Sequence, residues 1–272
     1  MPVIPIYQPK TDSAMRVAGF MSGSGTNLIE ILKHQEKLKS SHGRSPYEVV
    51  CIVTDNKDSK AGRIGEKYDI PVVVNDIMDF YRGRGHSDKR DMKIRSEFDE
   101  KTIGMIEDFA IDAIAMAGYM SIITEPVLKR YGRIINVHPA DLRVRKDGKR
   151  LYTGDRAVAL AIAEGEPFLH ATVHLVGEEV DGGQILMMSA PVLVEISEDI
   201  DPDELSKPEN KKILMKIADE HQEILKEQGD WVVFPKTLEL IAEGRYGFDE
   251  NGALYFDDYA VPEGAIIDSI AQ

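Results

Sequence analysis

Apolar residues in the first half of the chain fall into short unbroken runs. Between the runs lie longer stretches where apolar residues recur every three or four positions. Residues 16–21 form one run, which ends in the turn Ser22-Gly23-Ser24-Gly25-Thr26-Asn27. Beyond the turn, Leu28, Ile29, Ile31, Leu32 and Leu38 mark an amphipathic helix. Further runs at 47–53, 71–74, 111–118 and 133–137 predict strands, and helical spacing predicts helices over 60–68, 92–109 and 126–131. Residues 81–86, rich in Gly and Arg, read as a loop. Strands that alternate with helices, each nearly continuously apolar, predict an α/β protein. Its central sheet is mostly parallel and covered by helices on both faces. In such a sheet ligands meet the carboxyl ends of the strands, so the residues after Met21, Ala117 and Val137 should face a site.

The second half changes character. Residues 171–176 and 184–194 read as strands and 195–204 as an acidic connection. Residues 210–226, with Ile213, Leu214, Ile217 and Leu225 as an apolar stripe, and residues 231–243 read as two helices. Residues 247–257 suggest a hairpin turning at Asn251-Gly252. No Pro/Gly/Ser-rich linker, repeat or low-complexity tract divides the chain. The expected organisation is an irregular lead over 1–15, one domain over 16–246, and a hairpin with a tail over 247–272.

Composition narrows the class. The chain has 272 residues, 43% of them hydrophobic, which is ample for a core. Its 33 basic and 47 acidic side chains give a net charge of -14. That balance argues against nucleic acid or an anionic membrane as partner, though one loop can still hold a small anion. No stretch approaches the roughly 20 apolar residues that cross a bilayer. The first residues, with Pro2, Pro5, Pro9 and Asp12, lack the apolar core of a secretory signal. The single cysteine, Cys51, sits in an apolar run and reads as a small buried hydrophobe, not a nucleophile. A cytoplasmic location is the expectation.

Two local patterns carry chemistry. In the glycine turn, Gly25 can let the backbone approach an anion, and Thr26 and Asn27 can add donors at a helix N-terminus. Leu28 stands where a dinucleotide fingerprint needs its third glycine, so a phosphate site or a simple tight turn are the two readings. In Asn136-Val137-His138-Pro139, period two places an amide and an imidazole on one face at the end of a strand. That pair is either catalytic or structural. On local grounds Asp181-Gly182-Gly183 reads as a hairpin turn. No convincing metal-ligand cluster is present.

Taken in order, Ser22 to Leu28, Ala117 to Met120, Asn136 to Pro139 and Thr172 to Gly183 resemble the folate-dependent phosphoribosylglycinamide formyltransferase (glycinamide ribonucleotide transformylase) family. The resemblance runs from about residue 16 to about 246. It implies a Rossmann-like formyltransferase fold. It also implies transfer of a formyl group from 10-formyltetrahydrofolate, a cosubstrate, to the amine of glycinamide ribonucleotide in purine biosynthesis, with no metal. Asn136 and a protonated His138 would stabilise the tetrahedral oxyanion, and Asp181 would favour the charged imidazole and help move a proton. Gly25, Thr26 and Asn27 would hold the phosphate, and Met120, Ser121 and Ile122 would line the pterin pocket with Asn136 beside it. Arg95 matches a folate-contacting arginine, although a solvent-facing helix charge is its other reading. Glu220, in Glu220-His221, matches a glutamate that touches the glycinamide. The partners implied are a phosphorylated amine and a folate, without nucleic acid or membrane, for a monomer or homodimer.

The pattern breaks in three places. After His138-Pro139 comes Ala140-Asp141-Leu142-Arg143 and then the basic loop Arg145-Lys146-Asp147-Gly148-Lys149-Arg150, which either reshapes the acceptor pocket or is an exposed insertion. Ser121 replaces the family's usual arginine. The stretch from Glu220 to Phe234-Pro235 is longer than usual, which makes Asp230 a rival of Glu220. The competing readings are a formyltetrahydrofolate hydrolase, a formyltransferase acting on a different amine, a non-catalytic nucleotide or folate sensor and, from another class, a nicotinamide-dependent oxidoreductase.

Overall fold

Strand β2 (Met15–Met21) alternates between two cores. Met15, Val17 and Met21 pack with Leu28 and Ile31 on one face of the sheet, whereas Ala18 and Phe20 pack with Ile114 and Tyr119 on the other. Burial on both faces explains the unbroken apolar run, since helices cover the sheet above and below. The computed structural model describes residues 2–86, 89, 91–197 and 199–270.

The chain begins with β1 (Ile4–Pro5) before β2. There follow α1 (Thr26–His42), β3 (Tyr47–Thr54), α2 (Ala61–Tyr68), β4 (Val72–Val74), α3 (Ile77–Arg82) and α4 (Met92–Ile106). Next come β5 (Ala113–Met116), α5 (Glu125–Arg130), β6 (Ile134–His138), the short strands β7 (Arg145–Lys146) and β8 (Lys149–Arg150), and α6 (Ala157–Ala163). The chain continues with β9 (Phe168–Leu169), β10 (Thr172–Leu175), β11 (Ile185–Met188), β12 (Val192–Leu193), α7 (Lys211–Leu225) and α8 (Trp231–Ala242). It closes with β13 (Tyr246–Phe248), β14 (Leu254–Phe256), β15 (Tyr259–Ala260), β16 (Ala265–Ile266) and the short helix α9 (Ile267–Ile270).

Among the described residues the main sheet has eight strands in the order β16-β11-β10-β6-β5-β2-β3-β4. The pairs from β6 through β5, β2 and β3 to β4 are parallel, and β10 joins β6 antiparallel. The architecture is therefore the expected mostly parallel α/β sheet. Several local expectations shift. The run 184–194 splits at Ser189-Ala190-Pro191 into β11 and β12, because Pro191 cannot donate to a ladder. The lead, expected to be irregular, contributes β1, which pairs with β13. The hairpin at 247–257 forms β13 and β14, its turn held by Asp249, whose carboxylate accepts from the Asn251 and Ala253 N–H groups, each at 2.9 Å. The tail then returns to the main sheet, where β16 pairs with β11. The two C-terminal helices are joined by a π turn, Lys226–Asp230, instead of a loop.

Candidate active site

Strand β6 ends on Asn136 and His138 at period two, and its antiparallel partner β10 sets His174 opposite Asn136. The Asn136 Nδ2 lies 3.3 Å from His174 Nε2. Between β10 and β11 the Asp181-Gly182-Gly183 turn folds Asp181 back toward both strands, with φ 53 at Asp181. One carboxylate oxygen, Oδ2, lies 3.4 Å from His138 Nδ1 and accepts the Gly154 N–H at 2.8 Å. The other, Oδ1, lies 3.5 Å from His174 Nε2. The remaining imidazole nitrogens face carbonyls, His138 Nε2 at 2.8 Å from Tyr152 and His174 Nδ1 at 2.8 Å from Leu175. A carbonyl only accepts, so these two nitrogens are the donors.

Burial opposes charge on Asp181, but the neighbouring imidazoles of His174 and His138 and the Gly154 N–H outweigh it and hold the carboxyl at about 2. His138 moves the other way. Burial lowers its pKa from the usual histidine value, and the Asp181 charge and the Tyr152 carbonyl only partly restore it. Burial thus works against, and Asp181 works for, the charged form of His138. Its Nδ1 is left bare beside a carboxylate.

These groups line a cleft of about 520 Å³ that also takes in the glycine turn and the segment Tyr119–Ile123. At the glycine end, Gly25 has φ 68 and starts α1, and a Cβ there would stand 2.6 Å from Ile64 and 2.8 Å from Met21. Ser24, Thr26 and Asn27 line the cleft with it. The Asn27 Nδ2 donates to Asp230 at 3.2 Å. Asp230 sits in the π turn, almost fully buried, with Oδ1 unpartnered. Burial raises its carboxyl to about 7, against a smaller opposing pull from Asn27 and Lys226. Glu220 does not reach the cleft. It is exposed and pairs with Lys216 one turn away at 3.8 Å, and neighbouring His221 is structural, accepting the Glu195 N–H at 2.9 Å. Of the two rivals, only Asp230 lies at the site.

At the other end, Met120 and Ile122 expose their side chains, and the Met120 N–H donates to Ser22 Oγ at 2.8 Å. Ser121, at the position where an arginine was the expectation, donates its hydroxyl to Asp55. Arg95 is neither a cleft residue nor a solvent-facing charge. It is 2% exposed, its Nε donates to the Ile122 carbonyl at 2.7 Å, and its Nη2 meets Asp99 at 2.9 Å. Asp99 in turn accepts the Thr124 N–H at 2.7 Å and hydroxyl at 2.6 Å. The pair therefore shapes the 119–124 segment from behind, because i,i+4 spacing on α4 puts both side chains under that loop.

Sequence reasoning passed over His174, although Thr172 and His174 alternate on β10 as Asn136 and His138 do on β6. It also had no signal for the Tyr152 carbonyl or the Gly154 N–H, which are backbone groups. Among the described residues no helix is long and apolar enough to cross a membrane, and no group of three His, Cys, Asp or Glu is placed to hold a metal.

An amide, two imidazoles and a carboxylate gather with the glycine turn in one cleft at the carboxyl edge of the sheet, where α/β enzymes hold their ligands. Residues 15–217 match the Formyl transferase family, and the chain belongs to that family. It is a formyltransferase by descent. Over 250 residues it is 27% identical to phosphoribosylglycinamide formyltransferase of Haemophilus influenzae, covering 91% of this chain and 96% of that protein. Over 241 residues it is 30% identical to the trifunctional purine biosynthetic protein adenosine-3 of Gallus gallus, covering 88% of this chain but only 20% of that protein. The chain thus spans about a fifth of the length of the trifunctional relatives. Among solved structures, phosphoribosylglycinamide formyltransferase from Anaplasma phagocytophilum superposes with a TM-score of 0.65 at 22% identity over 94% of this chain and all of that one. A formyltetrahydrofolate deformylase from Pseudomonas putida shares the fold with a TM-score of 0.61 at 17% identity over 91% of this chain and 71% of that one.

Proposed function

We propose that this enzyme transfers the formyl group of 10-formyltetrahydrofolate to the amine of glycinamide ribonucleotide. The observation that carries the reading is the Asp181 carboxylate set between His138 and His174, facing Asn136, in the cleft that also contains the glycine turn. The acceptor's amine attacks the formyl carbon, a C–N bond forms, and the carbonyl π pair moves to oxygen. One N–H of the Asn136 amide is taken by His174 and the second is free to donate to that oxyanion. The amine's proton goes to the bare Nδ1 of His138, where Asp181 stabilises the new imidazolium. The positive charge thereby arises beside the oxyanion only when it is needed. Collapse restores the carbonyl and breaks the bond to folate N10, which takes the proton from the His138 imidazolium and so returns His138 to its neutral form.

Gly25, Thr26 and Asn27 hold the acceptor's phosphate in this reading, Asp230 meets its glycinamide part, and the backbone of Met120, Ser121 and Ile122 takes the pterin. Arg95 supports that segment without touching the folate. The test is a formyl-transfer assay with 10-formyltetrahydrofolate against glycinamide ribonucleotide, a sugar amine and water. Transfer to the ribonucleotide alone supports the reading. Formate release without transfer, or faster transfer to the sugar amine, replaces it.

A further inference from the structure

The β7–β8 hairpin interrupts the family pattern, and its basic side chains suggest a lid over an anionic substrate. Their contacts are otherwise. Arg143 is neutralised by Asp141 at 2.7 Å, and Arg145 turns back to the Gly148 carbonyl of its own hairpin at 3.4 Å. Lys146 and Lys149 are exposed. Arg150 points inward. Its Nη1 donates to the Asp181 carbonyl, and its Nη2 donates to the Gly183 carbonyl at 2.8 Å.

Within the turn the Gly182 N–H donates to the Glu179 carbonyl at 3.0 Å, and Arg150 supplies side-chain donors to the Asp181 and Gly183 carbonyls. Asp181 adopts a left-handed backbone that costs a non-glycine residue about 1–2 kcal/mol. The two glycines that follow have no side chains to pack. At Gly183 a Cβ would stand 1.8 Å from the Leu175 carbonyl, so no other residue fits. A guanidinium is a planar fork of donors that can span two carbonyls at once, which an ammonium does less well. Just past β8, the Tyr152 carbonyl faces His138 and the Gly154 N–H holds the Asp181 carboxylate, each at 2.8 Å. The hairpin and the residues just past it therefore reach the turn's backbone, the carboxylate and the imidazole between them.

We propose that Arg150 is a positioning residue whose guanidinium fixes the Asp181-Gly182-Gly183 turn through two backbone carbonyls and so sets the Asp181 carboxylate between His138 and His174. This rests on the reading of Asp181 and His138 as the pair that handles the amine's proton. Arg150 itself touches no reacting atom. Burial is the main influence that disfavours charge on His138, and the positive charge of Arg150 adds to it.

The test compares the full chain with Arg150→Ala, Arg150→Gln and, as a control, a double variant Lys146→Ala/Lys149→Ala. Kinetics with 10-formyltetrahydrofolate and glycinamide ribonucleotide are paired with histidine ¹⁵N NMR. Arg150→Ala should lower kcat about 10- to 100-fold, as a misplacement of about 1 Å does, with both KM values held. Millimolar guanidinium should recover part of that loss in Arg150→Ala alone. The His138 and His174 signals should move in Arg150→Ala as they do in Asp181→Asn, and stay fixed in the lysine double variant. Should Arg150→Ala not fold, Arg150→Gln, with its single amide donor group, should show an intermediate loss and the same NMR movement. A folded Arg150 variant with wild-type kcat and unmoved histidine signals overturns the proposal. If the wild type transfers no formyl group to the ribonucleotide but the signals move, the acceptor reading fails and the positioning role stands.

Discussion

His138 Nδ1 lies 3.4 Å from Asp181 Oδ2 while its Nε2 is engaged by the Tyr152 carbonyl, so the one open nitrogen faces a negative charge. A neutral imidazole in that position is primed to accept a proton. His138→Ala and Asp181→Asn should each lower kcat by about 10²–10³ while leaving the fold intact. The pH profile gives a sharper check. With the His138 pKa lowered by burial, the acid limb of kcat should fall below the usual histidine value of about 6.5. The carboxylate raises that pKa, so the limb in Asp181→Asn should move further down. A limb that rises in the variant would show that a different group is the base.

Asp230 ties stability to pH in an uncommon direction. Its folded pKa of about 7 lies above the 3.8 of an ordinary aspartate, so folding favours the protonated form. The stability tied to that proton is fully present below pH 3.8 and is lost as pH rises through about 7. The full loss is on the order of 4 kcal/mol. Asp230→Asn keeps a polar side chain without the charge. Its melting temperature should match the wild type below pH 3.8 and exceed it by a growing margin up to pH 8. Parallel curves for the two proteins across that range would mean that the buried carboxyl is not what titrates. The acceptor's KM should rise in the variant, because the amide cannot meet an amine as a carboxylate does.

How much of this was legible depended on how far apart the cooperating residues lie. The strand, glycine turn and helix from residue 16 to 38 are adjacent in the chain, and period two alone paired Asn136 with His138. The place of Asp181 followed only from the family resemblance, since the antiparallel β6–β10 pairing brings its turn back to the site over more than forty residues. The extra length between Glu220 and Phe234 is visible in the chain, but not that it forms a π turn that carries Asp230 to the cleft. Arg95 and Asp99 have the spacing of an exposed i,i+4 pair, and nothing local distinguishes that from a buried one. Arg150 lies about thirty residues from the carbonyls it grips, in a loop whose composition suggests either an acceptor-pocket element or exposed surface and gives no sign of a contact to that turn.

The glycine turn separates binding from folding by the choice of position. Gly25 is left-handed and tightly packed, so Gly25→Val should destabilise the whole strand–helix unit and weaken both substrates together. Thr26→Val is the cleaner probe, since it keeps the shape and removes one hydroxyl from the helix start. It should raise the KM of the phosphorylated acceptor about tenfold, the usual contribution of a hydrogen bond to a charged group. The folate KM and the melting temperature should hold. Equal loss of both substrates in Thr26→Val would place the phosphate elsewhere in the cleft.

Arg95 has two separable duties, and two substitutions distinguish them. It neutralises Asp99 and it holds the Ile122 carbonyl. Arg95→Met removes both. It leaves Asp99 buried with only the Thr124 hydrogen bonds, and breaking one partner of such a pair costs about 3–5 kcal/mol. Burial already raises the Asp99 pKa above 3.8 despite Arg95, and loss of the cation raises it further. The penalty should therefore be small below that value and grow as pH rises above it. The freed Ile122 carbonyl should also let the 119–124 segment shift, raising the folate KM while leaving that of the acceptor. Arg95→Lys places one ammonium where a fork stood, so it can still answer Asp99 but cannot also donate from the Nε position to Ile122. It should recover most of the stability lost in Arg95→Met and little of the folate affinity. If lysine restored both, the Ile122 contact would not be what sets folate binding. If both variants kept a wild-type folate KM, Arg95 would serve stability alone.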